Sequence, residues 1–316
     1  MTSFRVLVTA RSFAKTPGAH HDWLAAHGCH VDLRAAEQPL NSAALAALLP
    51  GYDGVILGLD HCDAAALAQA DRLRVISRYG VGVENVDLAA AAARGIIVTN
   101  TPNTNNISVA ELAIGLLFAL ARQIARMAAG AQQGDFTRYT GIELTGKTLG
   151  VAGFGAIGRE VARRALGLGM HVIAYDPYYQ GDWGAVEPVD LPALWARLWA
   201  LSLHLPLTPT TTHLVNADTL KQMQSGSFLI NTARGGLVDE AALYDALRLG
   251  NLAGAAMDVF ATEPPTDSPL LTLPTFIATP HAGGATREAI ARMALLAAEN
   301  LVAVLNGVEC PDTVRV

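Results

Sequence analysis

Short apolar runs alternate with helical stretches along nearly the whole chain, and this alternation constrains the fold more than any other feature. Runs such as Gly54–Gly58 and Val75–Ser77 are apolar on both faces. That pattern suits strands covered from both sides, as in a parallel sheet with helices on each face. Two such series are read. The first places strands over Arg5–Thr9, Val31–Leu33, Gly54–Gly58, Val75–Ser77 and Ile96–Val98. Helices over Asp22–His27, Ser42–Leu49, Ala64–Ala70 and Leu88–Arg94 lie among them. The second starts at Thr148, with strands over Leu149–Ala152, His171–Tyr175, Ala200–His204, Ser227–Asn231, Gly254–Val259 and Phe276–Thr279. A final helix spans Thr286–Asn306. One long helix, Ser108–Gly130, separates the two series. Ser108 is its expected N-cap, with Glu111 completing a capping box. Its apolar residues exceed one stripe, so it is expected to be buried, between domains or between subunits.

Composition narrows the class. Hydrophobic residues make up 51% of the 316 and charged residues 16%, which supports full cores and argues against disorder. Net charge is −6, and no Lys/Arg-rich run marks a nucleic-acid footprint. Cys29, Cys62 and Cys310 form no CxxC pair, so neither a zinc ribbon nor a disulfide framework is expected. The N-terminus reads as a strand, not a signal peptide. The apolar stretch Ile107–Ala121 is too short and too polar for a membrane span. A soluble cytoplasmic protein without nucleic-acid or membrane partners, and without a bound metal, is the expectation.

Gly153, Gly155 and Gly158 fit G-x-G-x-x-G, after a strand and before a helix. The first glycine permits the tight turn, the second lets backbone approach a pyrophosphate, and the third lets helix and strand pack. Amides at the helix start then face the anion. The next strand ends at Asp176, 18 residues past Gly158. Its carboxylate suits an adenosine ribose and repels a 2′-phosphate, and Pro177-Tyr178-Tyr179 brings no arginine nearby. The expected cofactor is NAD. The plain structural reading is a strand-turn-helix in which Asp176 only caps.

Three charged or titratable residues follow apolar strands of the second series: Arg234, Glu263 and His281. Ligands meet open α/β sheets at such strand ends. A cation to polarise a carbonyl, a carboxylate and an acid/base together suit hydride and proton transfer. Taken singly, each has an ordinary reading: a surface cation, a solvated turn residue and a helix cap.

In order and spacing, the set resembles the D-isomer-specific 2-hydroxyacid dehydrogenase family, in its phosphoglycerate dehydrogenase-like branch. The resemblance rests on Arg78–Asp87, Ser108-Val109-Ala110-Glu111, the glycine turn, His204-Leu205-Pro206-Leu207-Thr208, and the segments around Arg234, Glu263 and His281. It implies an α/β fold of two Rossmann-like, doubly wound parallel-sheet domains with a cleft between them. A flavodoxin-like substrate domain would comprise 1–101 and 287–316. An NAD-binding domain would comprise 102–286, with the long helix in a homodimer interface. The implied activity is hydride transfer between nicotinamide C4 and C2 of a small anionic 2-hydroxy or 2-oxo acid. Arg234 would bind substrate carboxylate and carbonyl, and His281 would be the acid/base, its pKa raised by Glu263. Backbone N–H groups of Gly80, Val81 and Gly82 would cradle the carboxylate, and Arg78 would help bind substrate. Gly153, Gly155, Ala156, Ile157 and Gly158 would hold the pyrophosphate, and Asp176 the ribose. Val81, Leu205, Pro206, Thr232, Ala233, Asp258 and Gly283 would complete the cofactor site, with Asp258 facing the carboxamide.

Substrate identity departs from the branch. Phosphoglycerate dehydrogenases bring a second arginine after the strand matching Gly54–Gly58, whereas here Leu57-Gly58-Leu59 stands there. A phosphate dianion would have one fewer charged partner. The sequence stops at Val316, so control by serine through a C-terminal regulatory domain is not expected. Leu205 stands where some relatives have a hydroxyl residue, and Trp199-Ala200-Leu201 where an acidic residue is common. Glu263 argues against formate dehydrogenases, which place glutamine opposite the histidine. Two alternatives stay open: 3-phosphoglycerate dehydrogenase of serine biosynthesis specifically, and a non-catalytic NAD-sensing scaffold.

Overall fold

The computed structural model describes residues 3–315. The chain divides into two compact units, Met1–Asn105 with Ala285–Val316, and Asn106–Gly284. In the first unit the strands are β1 (Phe4–Val8), β2 (Cys29–Leu33), β3 (Gly54–Leu57), β4 (Val75–Arg78) and β5 (Ile97–Thr99). They form one parallel sheet in the order β2-β1-β3-β4-β5, a doubly wound order of the flavodoxin kind. Alternate residues feed opposite cores, as a two-residue strand period requires. Val6, Val8, Ile56 and Val75 face one core, and Leu7, Val55, Leu57 and Ile76 the other. The helix Arg287–Leu305 returns to this sheet. Ser77 Oγ donates to Ala297 O at 2.8 Å, and Leu301 packs over Gly54, where a Cβ would come within 3.1 Å of it. Thr286 caps that helix by accepting from Ala289 N–H.

The second unit holds β6 (Thr148–Ala152), β7 (His171–Tyr175), β8 (Glu187–Pro188), β9 (Ala200–Leu203), β10 (Ser227–Asn231), β11 (Leu252–Met257) and β12 (Phe276–Ala278). The order is β12-β11-β10-β9-β6-β7-β8, parallel throughout. Strand order reverses between β6 and β9, the switch point where ligands sit in sheets of this kind. The helices Asn106–Ala121 and Ala156–Gly167 pack on each other, and both contribute to the core on one face. Trp199 joins this core edge-on to Phe228, ring centroids 5.1 Å apart, a packing role for a residue whose place in the pattern the sequence left unexplained.

The long helix is not one helix. It begins at Asn106, ends at Ala121, and resumes as Ile124–Gln132 after a bend of 68°. Gln123 adopts φ 51°, and Ile142 N–H donates to Ala121 O at 2.8 Å. The returning stretch of chain takes the carbonyl and crowds the helix end, since a Cβ on Gly141 would lie 2.9 Å from Ala121 O. Ser108 is therefore not an N-cap but a buried residue inside the helix, and Glu111 binds Arg164 Nη2 at 3.0 Å instead of closing a capping box. No single helix among the described residues is long and apolar enough to cross a membrane. The helices Arg11–Lys15 and Ala217–Gln222 and the two-residue strand β8 were not expected from sequence.

Candidate active site

β6 runs straight into Gly153, whose φ is 95°. A Cβ there would lie 2.6 Å from the His204 backbone, so both conformation and packing demand glycine. Gly158 lies against the turn itself, and a Cβ would overlap the Gly153 carbonyl oxygen. Gly155 differs. Its backbone is extended, φ −70° and ψ −160°, and nothing lies within 4 Å of a Cβ built on it. The fold has no need of glycine at 155, whereas a pyrophosphate approaching the backbone does. The helix Ala156–Gly167 starts here with no side-chain cap, so its first N–H groups, at Ala156 and Ile157, are available to an anion.

Asp176 follows β7. Its Oδ2 accepts from Phe154 N–H at 2.8 Å and its Oδ1 from Tyr178 N–H at 2.9 Å. The acid thus ties the glycine turn to the next strand end, and each oxygen keeps a further lone pair for a ribose hydroxyl. Phe154 stacks on Trp183 at 4.6 Å and meets Tyr179 edge-on. An arginine is near after all: Arg159 donates to Phe154 O at 3.2 Å and stands 5.4 Å over the Tyr179 ring. Helical geometry brings it there, although it precedes Asp176 by a whole αβ step.

Arg234 follows β10 and donates from Nη1 to Ala233 O at 2.7 Å. Asn231 shapes this loop, accepting from Ala233 N–H and donating to Arg234 O. Gly235 then packs so closely that a Cβ would overlap the Phe260–Ala261 peptide. Beyond β11, Glu263 turns back, with Oε1 accepting from Phe260 N–H at 2.9 Å. Its other oxygen meets His281 Nδ1 at 2.8 Å. Nε2 of His281 is left as the nitrogen that Glu263 does not engage, on a side chain 41% exposed.

The pair is tuned in the sense acid/base chemistry needs. The Glu263 hydrogen bond, aided by the charges of Glu263 and Asp258, raises the His281 pKa against burial and Arg234. Burial pushes Glu263 up, but hydrogen bonds from His281 and Phe260 N–H, with the nearby cations, outweigh it and hold the carboxyl below its ordinary value. Arg234 is close enough to act on both electrostatically.

Asp258 is buried, and its carboxylate meets the loop after β12. Its Oδ1 accepts from Thr279 Oγ1 at 2.5 Å and Ala282 N–H at 2.8 Å, and its Oδ2 from Gly283 N–H at 2.8 Å. Its carbonyl accepts from His281 N–H at 2.9 Å. This clasp holds His281 at φ 51°, an unusual conformation for a residue with a side chain. Gly283 is pinned beside it, 3.1 Å from Asp258 Oδ2 to a built Cβ. Leu205 and Ala233 are buried in the core of this unit, and Pro206 is exposed. Thr232 Oγ1 and His204 Nδ1 are buried with no protein partner among the described residues. His204 lies in the strand-end row with Thr232, and burial pushes its pKa down to about 3, so it is a neutral imidazole. The glycine spacing, the open space at Gly155 and the orphaned Thr232 hydroxyl fit NAD.

In the other unit, the loop after β4 departs from expectation. Gly80, at φ 140°, has its N–H committed to Thr101 Oγ1 at 3.0 Å, so only Val81 and Gly82 of the expected three remain for an anion. Arg78 is buried, with Nη1 on Tyr79 O and Nε on Asn85 Oδ1 at 3.3 Å. A Cβ on Gly80 would overlap its guanidinium. Just past the end of β3, Leu59 is 51% exposed.

Comparison with known proteins decides the family. Residues 114–283 match the D-isomer specific 2-hydroxyacid dehydrogenase, NAD binding domain. The chain belongs to that family. Hydroxypyruvate reductase of Thermotoga maritima is 41% identical over 276 residues, covering 85% of this chain and 90% of that protein. D-3-phosphoglycerate dehydrogenase of Methanocaldococcus jannaschii is 46% identical over 247 residues, covering 76% of this chain and 47% of that protein. The chain thus spans about half the length of the curated phosphoglycerate dehydrogenases it matches. Among solved structures, the TT0316 protein of Thermus thermophilus superposes with a TM-score of 0.91 at 41% identity, covering 98% of this chain and all of that one.

Sequence reasoning missed Asn231, Thr279 and Glu240 as parts of the site. Thr279 and Glu240 act through hydrogen bonds to other loops, for which a one-dimensional pattern holds no signal, whereas Asn231 bonds within its own loop. Asn231 alone had a hint, as a polar residue closing an apolar strand.

Proposed function

We propose that this protein is an NAD-dependent 2-hydroxyacid dehydrogenase acting on a small 2-hydroxy or 2-oxo acid. The observation that carries the reading is the His281–Glu263 hydrogen bond of 2.8 Å with Arg234 within electrostatic reach. NAD, when bound, supplies or accepts the hydride. Gly153, Gly155, Ala156, Ile157 and Gly158 hold its pyrophosphate, Asp176 its ribose, and Leu205, Pro206, Thr232, Ala233 and Gly283 line the remainder. Arg234 binds the substrate carboxylate and polarises the C2 oxygen, where charge develops. His281 Nε2 delivers a proton to that oxygen in reduction and removes it in oxidation. Glu263 stabilises the imidazolium and fixes the ring with Nδ1 protonated. The N–H groups of Val81 and Gly82 and the Arg78 side chain are the substrate-binding groups of the loop after β4.

Within the family we favour substrates with an uncharged tail, such as hydroxypyruvate or glyoxylate, over 3-phosphohydroxypyruvate. Exposed Leu59 offers no charge to support Arg78 in holding a phosphate, and part of the Arg78 guanidinium is committed to Tyr79 O and Asn85 Oδ1. The match to hydroxypyruvate reductase over 90% of its length supports this. We place the protein in the cytoplasm as a homodimer. Exposed Ile124 lies between Gln123 and Ala125, which line a cavity of about 450 Å³ together with Arg126, Thr140 and Ile142. Phe136, 82% exposed, follows in the same segment, and such apolar exposure suits a second copy.

NADH oxidation with 3-phosphohydroxypyruvate, hydroxypyruvate, glyoxylate and pyruvate side by side tests the proposal. Highest kcat/KM is expected with an unphosphorylated acid. Preference for the phosphorylated one would overturn the substrate assignment, and no turnover with any would overturn the enzyme.

A further inference from the structure

The backbone at Phe260 and Ala261 is held from three directions. Glu263 Oε1 accepts from Phe260 N–H at 2.9 Å. Gly235 lies so close to the Phe260–Ala261 peptide that no Cβ fits. In addition, Glu240 Oε1 accepts from Ala261 N–H at 2.9 Å. Glu240 is the first residue of the helix Glu240–Arg248, whose N-cap Asp239 is itself bonded to Ala241 and Ala242 N–H. An acid in a first helical turn is favoured by the helix dipole alone. That effect leaves the direction of the carboxylate open. Here it reaches away from its own helix to a backbone donor 21 residues on.

We propose that Glu240 is a positioning residue for the Glu263–His281 pair, acting through the Phe260–Ala261 peptide. This rests on the dehydrogenase reading of the site. Glu240 anchors the peptide to a helix start that is already capped, so the anchor is rigid. The adjoining Val259–Phe260 peptide, joined to it through the Phe260 Cα, donates Phe260 N–H to Glu263, and Glu263 presents its second oxygen to Nδ1 of His281. With the anchor gone, Ala261 N–H turns to water, the loop acquires freedom, and the Glu263–His281 bond is held less tightly. A misplacement of about 1 Å caused by such a supporting contact is felt in the rate. The charged groups that bear on His281 are Glu263, Asp258 and Arg234. Asp258 is fixed independently by Thr279, Ala282 and Gly283, so loss of Glu240 weakens one of the two carboxylates that favour imidazolium and leaves the other.

The test compares Glu240→Ala and Glu240→Gln in the full chain. Glutamine keeps an acceptor oxygen for Ala261 N–H, and alanine does not. The first readout needs no turnover: the His281 titration followed by NMR on histidine-labelled protein, its resonance assigned with His281→Asn. The alanine variant is expected to titrate at lower pH than wild type, and the glutamine variant close to wild type. The second readout is the pH profile of oxo-acid reduction. Its alkaline limb is expected to move to lower pH in Glu240→Ala, with kcat reduced on the order of tenfold, KM for the acid little changed, and recovery in Glu240→Gln. An unshifted His281 titration in Glu240→Ala would overturn the inference, as would an equal shift in both variants. A merely structural role would lower activity at every pH without moving the limb. Absence of turnover in wild type would overturn the dehydrogenase reading, and the NMR titration would still decide the role of Glu240.

Discussion

At the scale of single residues, the His281–Glu263 contact sets the direction of every pH effect. His281 has its pKa raised, chiefly by the Glu263 hydrogen bond, so it stays protonated to higher pH than a free imidazole. Reduction of an oxo acid needs that proton, and its rate should therefore fall as pH rises through the raised pKa. Oxidation of the hydroxy acid needs the neutral ring and should rise over the same range. Glu263→Gln keeps a hydrogen-bond partner but removes the anion. The alkaline limb of the reduction profile should then move to lower pH, and above it each unit of displacement costs about tenfold in rate. Stopped-flow rates across the pH range check this, and a limb that stays in place would remove Glu263 from its role. The sequence placed Arg234, Glu263 and His281 correctly at strand ends, since an apolar run followed by a polar residue is visible in one dimension. The inward turn of Asp258 was not visible, because its partners, Thr279, Ala282 and Gly283, lie more than 20 residues on.

At the scale of elements, the glycine turn separates two requirements that the motif alone merges. Gly158→Ala drives a methyl into the Gly153 carbonyl and should destabilise the fold, lowering Tm as well as NADH affinity. Gly155→Ala meets nothing and adopts a backbone any residue can take. It should leave Tm unchanged while weakening NADH binding by roughly tenfold or more, as a methyl intrudes where the pyrophosphate approaches. Calorimetry and fluorescence titration of NADH check the pair. Unimpaired NADH binding by Gly155→Ala would contradict the assignment of this turn to the cofactor. The broken helix teaches the opposite lesson. Apolar periodicity runs unbroken from Ile107 to Met127, yet the helix stops at Ala121 because Gly141 and Ile142 return to its end. That stop signal lies about 20 residues downstream.

At the scale of the whole molecule, the three cysteines divide unequally. Cys29, Cys62 and Cys310 are all buried and all lie in the unit built from the two ends of the chain. Burial pushes Cys29 up to about 11 and Cys62, with Asp63, Asp60 and Asp87 adding, to about 12. Burial raises Cys310 as well. Thiolate, the reactive form, is therefore scarce in the folded protein. No thiol should react with a disulfide reagent in native buffer within minutes. Under rising denaturant, labelling should report the opening of this unit alone. In a Trp23→Phe background, the fluorescence of Trp183, Trp195 and Trp199 reports the other unit. Labelling at the rate of a free thiol in native buffer would contradict this burial.

The sequence by itself determined the parallel α/β architecture, the doubling of it along the chain, the glycine turn before a helix and the polar residues that follow the strands of the second unit. These are local properties: strand period, glycine spacing and the residue that ends each strand. Only the tertiary structure decided where the buried helix breaks, which N–H of Gly80-Val81-Gly82 is already taken by Thr101, and which backbone N–H groups the carboxylates of Asp258 and Glu240 hold. Each of these depends on a hydrogen bond or close approach across about 20 or more residues. Such contacts come into being only when the strands have been laid side by side, so no window of sequence contains them.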